Sequence, residues 1–190
     1  MDSTIPKDIA AVESGGKTYV FYVNDNHQLS YFVKPGGGCN GGYAVKTIEV
    51  SYQKMHVKCD SREVAAISWT AGGVDEVSSC PQAAVMRLTF QIRVYCVLAN
   101  EQGRAFLQEI CLSSNKPEKS WYQGYLGSEK TIRHVENGAS IAATGTSYEN
   151  LQVFVSGKSE NGTPMIDVHY YTKNNGGSWE AESVNAQLWS

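Results

Sequence analysis

Long apolar runs are missing from this 190-residue chain: no stretch approaches the roughly 20 residues that cross a bilayer, so no membrane insertion is expected. Dense basic runs are missing too. Lys and Arg number 16 against 19 Asp and Glu, a net charge of -3, which argues against nucleic acid as partner. The start, Met1-Asp2-Ser3-Thr4-Ile5-Pro6, has neither a basic nor an apolar segment. It is therefore no signal peptide, and a cytoplasmic location or leaderless secretion is expected. Histidine is sparse: His27, His56, His134 and His169 stand singly without ligand spacing, so neither metal nor cofactor is expected. The glycine-rich "GGGCNGG", residues 36–42, lacks the Lys-Ser/Thr ending and following helix of a phosphate cradle. Five cysteines share no metal-type spacing. Cys96 and Cys111 fall on neighbouring strands, where a bridge is conceivable; without a secretion signal, reduced buried thiols are the reading.

What the chain does have is tyrosine, glycine and a repeat. Ile9-Ala10-Ala11-Val12 recurs as Val64-Ala65-Ala66-Ile67 and as Ile141-Ala142-Ala143-Thr144. After each comes an alternating strand: Tyr19 to Val23, Ile92 to Cys96 and Leu151 to Val155. A polar turn and a third strand follow in every copy, and the last two copies end in a tryptophan turn at Trp121 and Trp179. Period-2 patterning with turns at short intervals marks all-β structure. Several short strands per repeat of roughly fifty residues is the signature of a propeller blade. The expected fold is all-β and β-propeller-like, with about three blades in one domain, residues 1–190. The blades span about 8–60, 61–138 and 139–190. Between the first two strands of the second blade, 74–91 reads as an insertion, either a long surface loop or a retained, translated intron. Three blades leave two apolar faces open, which suggests a half propeller completed by self-association as a homodimer, or a truncated gene product.

Two charges interrupt the second blade. Arg93 sits in Ile92-Arg93-Val94-Tyr95, and Glu109 sits at nearly the mirrored place in Phe106-Leu107-Gln108-Glu109-Ile110. A charge in an apolar strand costs stability unless something pairs with it. The residues themselves leave two readings: a cross-strand ion pair on a solvated sheet edge, or a ligand clamp.

The stretch "IRVYCVLANEQGRAFLQEICLSSNKPEKSWYQGYLG", Ile92 to Gly127, resembles the blades of fungal fucose-specific lectins, six-bladed β-propellers of the Aleuria aurantia lectin type with relatives in soil bacteria. The resemblance is looser over the other two copies and covers about two-thirds of the chain. It implies a lectin, not an enzyme, that takes L-fucose-containing glycans in a pocket between adjacent blades. A guanidinium beside a carboxylate suits neighbouring sugar hydroxyls, and an indole suits the apolar sugar face. Carried over, Arg93 and Glu109 form the polar clamp, with Trp179 and Tyr171 from the next blade as aromatic walls. The first copy departs, with Val20 for Arg and Tyr31 for Glu; the third has Gln152 and Val168. A possible second, degenerate site therefore holds only Trp121 and Tyr122, and one competent pocket per chain is expected. Trp69 reads as core. The rivals are a protein-interaction propeller with a decayed sugar site and a sialidase-like glycoside hydrolase. The second rests on Thr172 to Trp179, a degenerate Asp-box-like turn, and lacks a second carboxylate in matching position.

Overall fold

The computed structural model describes residues 8–35, 42–51, 53–57, 63–73, 87–115, 120–128, 131–172 and 177–185. Outside these lie most of the glycine-rich stretch, residues 74–86 of the expected insertion, the turn 173–176, the tail 186–190 and Cys39, Cys59 and Cys80.

The alternation foreseen in the sequence becomes antiparallel sheet. The first sheet runs β1 (Ile9–Ser14), β2 (Lys17–Val23), β3 (Leu29–Pro35) and β4 (Ala44–Thr47) in spatial order. A small hairpin, β5 (Glu49–Val50) with β6 (Gln53–Lys54), follows. The second sheet places β7 (Val64–Gly73), β8 (Arg87–Ala99), β9 (Ala105–Ser113) and β10 (Tyr122–Gln123) side by side, and β11 (Arg133–His134) also pairs with β9. The third holds β12 (Ile141–Thr144), β13 (Gln152–Lys158), β14 (Pro164–Thr172) and β15 (Ser178–Asn185). Among the described residues there is no α-helix, only a short 3-10 turn at Tyr148–Asn150. The fold is all-β and propeller-like.

Each sheet is a meander whose first strand carries the repeated Ala-Ala motif. These first strands stand together: β7 lies against both β1 and β12. Alanine suits that place because three sheets converge there, and larger side chains would hold the strands apart. Side-chain bonds tie the first two strands further, with the Val64 amide donating to Asp8 Oδ2 at 3.2 Å and Ser68 Oγ donating to the Glu13 carbonyl at 2.7 Å.

Because strand residues alternate between faces, every sheet offers one face to each neighbour. Phe21, Leu29 and Tyr31 of the first blade meet Ile92, Val94 and Ile110 of the second in one core. Ile67, Tyr95 and Leu107 of the second meet Leu151, Val153 and Trp179 of the third in another. Each fully buried side chain of this size contributes roughly 1.5–3 kcal/mol. Among the described residues nothing covers the two outer faces. Ile9 and Val45 on the first blade, and Ile166 and Val184 on the third, are exposed.

The end of the expected insertion is strand. Arg87 to Gln91 belong to β8, pairing with Gly73 to Trp69. Leu88, Phe90 and Ile92 continue the alternation of Val94 and Cys96, so the sequence is strand rather than loop. Phe90 packs on the first core, and its amide donates to Ser114 Oγ at 2.9 Å. Gly15, at φ +56 in the β1–β2 turn, makes room for it: a Cβ there would lie 2.8 Å from the Phe90 ring.

Cys96 and Cys111 are both free and buried. Cys96 lies opposite Gln108 in the first core, whereas Cys111 lies opposite Arg93 on the other face. No bridge can join thiols on opposite sides of a sheet. Burial pushes the Cys96 thiol up to about 12, which keeps it protonated.

Candidate functional site at the seam of the second and third blades

Ile92, Val94 and Cys96 turn toward the first blade, so Arg93 and Tyr95 must turn toward the third. In register Arg93 faces Cys111 and Tyr95 faces Glu109, so the two charges sit diagonally and not directly opposite. Arg93 Nε lies 3.3 Å from Glu109 Oε1. Its N–H is not aligned with that oxygen and finds no hydrogen-bond partner among the described residues.

Glu109 is otherwise well supplied. Oε1 accepts from the Tyr95 hydroxyl at 3.5 Å, and Oε2 accepts from the backbone amides of Tyr125 at 2.9 Å and Leu126 at 3.4 Å. The carboxylate thereby pins the loop after β10 to the sheet. Gly124 is what admits it, since a Cβ there would collide with Oε2.

Arg93 donates from Nη1 to the Tyr122 hydroxyl at 3.1 Å. Three aromatic rings surround the guanidinium, with Cζ 4.9 Å from the Tyr148 centroid, 5.5 Å from Trp69 and 5.9 Å from Tyr122. Rings at such distances stabilise a desolvated cation. Burial opposes the charge on Arg93, but Cys111, Glu109, Tyr148 and the Tyr122 bond outweigh it and raise its pKa. Burial raises the pKa of Glu109, against the opposing pull of Arg93 and of the Leu126, Tyr125 and Tyr95 hydrogen bonds.

The reading of a solvated surface ion pair is thereby excluded, because Arg93 is 1% exposed and Glu109 2%. The pair lies between blades, as a ligand clamp would, but the third blade covers it. Tyr148 does the covering, from a turn held by Ser147 and Asn150.

Trp179 and Tyr171 come to the same seam. They face each other across β14 and β15 with rings 5.9 Å apart, and Trp179 meets Tyr95 edge-on at 6.2 Å. Tyr171 in turn touches Tyr148 at 5.1 Å. Trp179 is buried, its carbonyl accepting from Arg133 Nη2 at 2.8 Å.

Trp121 and Tyr122 do not share a second site. Adjacent strand residues point to opposite faces, so Trp121 packs with Phe21 and Tyr31 while Tyr122 joins Arg93. The counterpart of Arg93 in the first blade also changes. Ile67 pairs with Arg93, and the matching Val12 pairs with Tyr19, so Tyr19 and not Val20 holds that place. In the third blade Thr144 pairs with Gln152 and Phe154 with Val168, which leaves those two equivalences standing.

Sequence reasoning missed Tyr148, which sits in a turn with no periodic signal. It placed Trp69 in the core, where Trp69 indeed lies, and overlooked that the same ring flanks the guanidinium.

No protein-family model matches the chain, and no curated protein does. Among solved structures, a fucose lectin from Kordia zhangzhouensis in complex with methyl-fucoside is similar, at 13% identity and a TM-score of 0.48, over 94% of this chain and 99% of that one. With so few residues in common, the architecture rests on the strand pairings themselves.

Proposed function

We propose that the chain is a glycan-binding propeller segment, a lectin, and that the seam of the second and third blades recognises L-fucose. One observation carries the reading: a guanidinium and a carboxylate meet between two blades, inside a ring of aromatic side chains. That combination supplies donors and acceptors for neighbouring hydroxyls together with apolar faces for a pyranose ring. Arg93 Nε is paired with Glu109 Oε1 by charge at 3.3 Å but makes no aligned hydrogen bond among the described residues, which leaves its N–H able to turn to a ligand oxygen. We read the role as binding, because the aligned copies place no second carboxylate in the strand position that would accompany Glu109 in a hydrolase.

The burial of the pair favours one alternative, a protein-interaction propeller in which Arg93 and Glu109 serve only to hold the seam. Tyr148 separates the two. A sugar must take the place of its ring above Arg93, so Tyr148→Ala should bind fucose more tightly than wild type. Arg93→Ala should bind at least about tenfold more weakly, a loss of about 1.4 kcal/mol. Trp179→Ala should lose affinity, and Trp121→Ala should lose stability more than affinity. Calorimetric titration of methyl-fucoside into these proteins, their folding checked by circular dichroism, decides the matter. Absence of binding heat from both wild type and Tyr148→Ala rejects the fucose reading.

A further inference from the structure

The seam of the first and second blades repeats the frame of the site above with different chemistry. Tyr19 takes the place of Arg93, and Tyr31, opposite Phe21, takes the place of Glu109, opposite Tyr95. Lys46 lies opposite Tyr31, where Gly124 adjoins Glu109 in the second blade. Lys17, two residues before Tyr19, faces the same side. These differences open the seam at its rim. A cleft of about 500 Å³ is lined by Tyr19, Tyr31, Phe90 and Trp121, with Lys17 and Lys46 among its borders.

The described lining holds two cations and no carboxylate. Both lysines are exposed, so neither is spent on a buried partner. Burial, and then Tyr31, raises the pKa of the Tyr19 phenol, which stays a neutral donor at physiological pH. The cleft thus offers aromatic faces, phenol hydroxyls and positive charge, and lacks the acceptor carboxylate that a neutral sugar clamp uses. Aromatic rings take the C–H face of a pyranose, phenols take its hydroxyls, and ammonium groups take an anionic substituent.

We propose that this cleft binds a pyranose bearing an acidic group, carboxylate or sulfate, as a second carbohydrate site of different specificity. The inference rests on the lining of the first seam and not on the fucose reading of the second.

The test is titration of methyl glucuronide, galactose 6-sulfate and neutral methyl glucoside into wild type and into Lys17→Ala/Lys46→Ala, followed by calorimetry. Wild type should bind at least one acidic sugar in preference to the neutral one. The double variant should bind it at least about tenfold more weakly. Binding should also weaken as ionic strength rises. Whether glucuronide or the sulfate binds identifies the acidic group. Exposed lysines are safe to truncate, so a folded variant is expected. Binding of neither acidic sugar to wild type, equal binding of the neutral glycoside, or undiminished binding by the double variant overturns the proposal. An acidic sugar bound by wild type, with methyl-fucoside bound by neither wild type nor Tyr148→Ala, upholds this site and rejects the other.

Discussion

The two seams are built on one frame and filled in opposite ways. In both, a tryptophan after the third strand meets an aromatic ring of the preceding blade edge-on: Trp121 on Phe21 at 5.8 Å, and Trp179 on Tyr95 at 6.2 Å. Around that constant contact the first seam places Tyr19 and Tyr31, rings 6.0 Å apart, with lysines at the rim. The second buries an arginine and a glutamate and closes over them. The tryptophans pack blade on blade in both seams, and the seams differ in the pair of positions beside them. The neutral pair leaves an open cleft; the charged pair is enclosed, and charges taken out of water need every donor, acceptor and ring around them to offset the cost.

The strongest way to break this comparison is to break the pair. Arg93→Ala strands a buried carboxylate and should cost about 3–5 kcal/mol of stability in urea unfolding. Arg93→Met/Glu109→Gln removes both charges while keeping an acceptor for the Tyr125 and Leu126 amides, and should recover most of that loss. If the double variant is no more stable than Arg93→Ala, side-chain shape and not charge sets the second seam.

A smaller effect is expected at the loop beside the carboxylate. Gly124→Ala pushes a methyl group into Glu109 and should cost about 1–3 kcal/mol, the usual range for overpacking. Lys46→Ala, at the matching place in the first blade, should stay within about 0.5 kcal/mol of wild type. Equal effects from the two substitutions would show that the loop yields freely and that Gly124 is no requirement.

The smallest effect is one of pH. Burial raises the Glu109 pKa above its ordinary 4.5, so the folded chain keeps a proton that the unfolded chain has released. Stability from this group is complete below 4.5 and is lost as pH rises through the folded value, by at most about 1.4 kcal/mol per pH unit. Glu109→Gln should flatten that slope in denaturation curves taken across the acid range. An unchanged slope in the variant assigns it to other groups.

Much of the fold was legible because alternation and turn residues are local signals. The three-copy repeat, the small first strands and the two tryptophan turns all lie in continuous segments. Faces were harder, since an error of one residue in register turns every side chain over. Aligning Tyr19–Val23 with Ile92–Cys96 by their apolar ends put Val20 where the hairpin pairing puts Tyr19. The same parity separates Trp121 from Tyr122, neighbours that look like one site when read along the chain. Arg87–Gln91 escaped notice as strand, despite its alternation, because the shorter first copy has no matching residues and the whole segment read as an insertion. Tyr148 was beyond reach of any pattern: it comes to Arg93 from a turn of another blade, and only the packing of sheet on sheet brings it there.

The chain order of the Arg93–Glu109 pair also bears on how the molecule folds. The two residues lie on successive strands joined by the turn 100–104, in which Asn100 Oδ1 accepts from the Gln102 and Arg104 amides. A hairpin closed by so short a loop forms early and loses little chain entropy in closing. Tyr148, Tyr171 and Trp179 arrive from 39 residues or more beyond Glu109 (148 − 109 = 39), and long-range contacts of that kind come later. Arginine and glutamate can thus find each other while water still surrounds them, and the third blade then dries a pair already made.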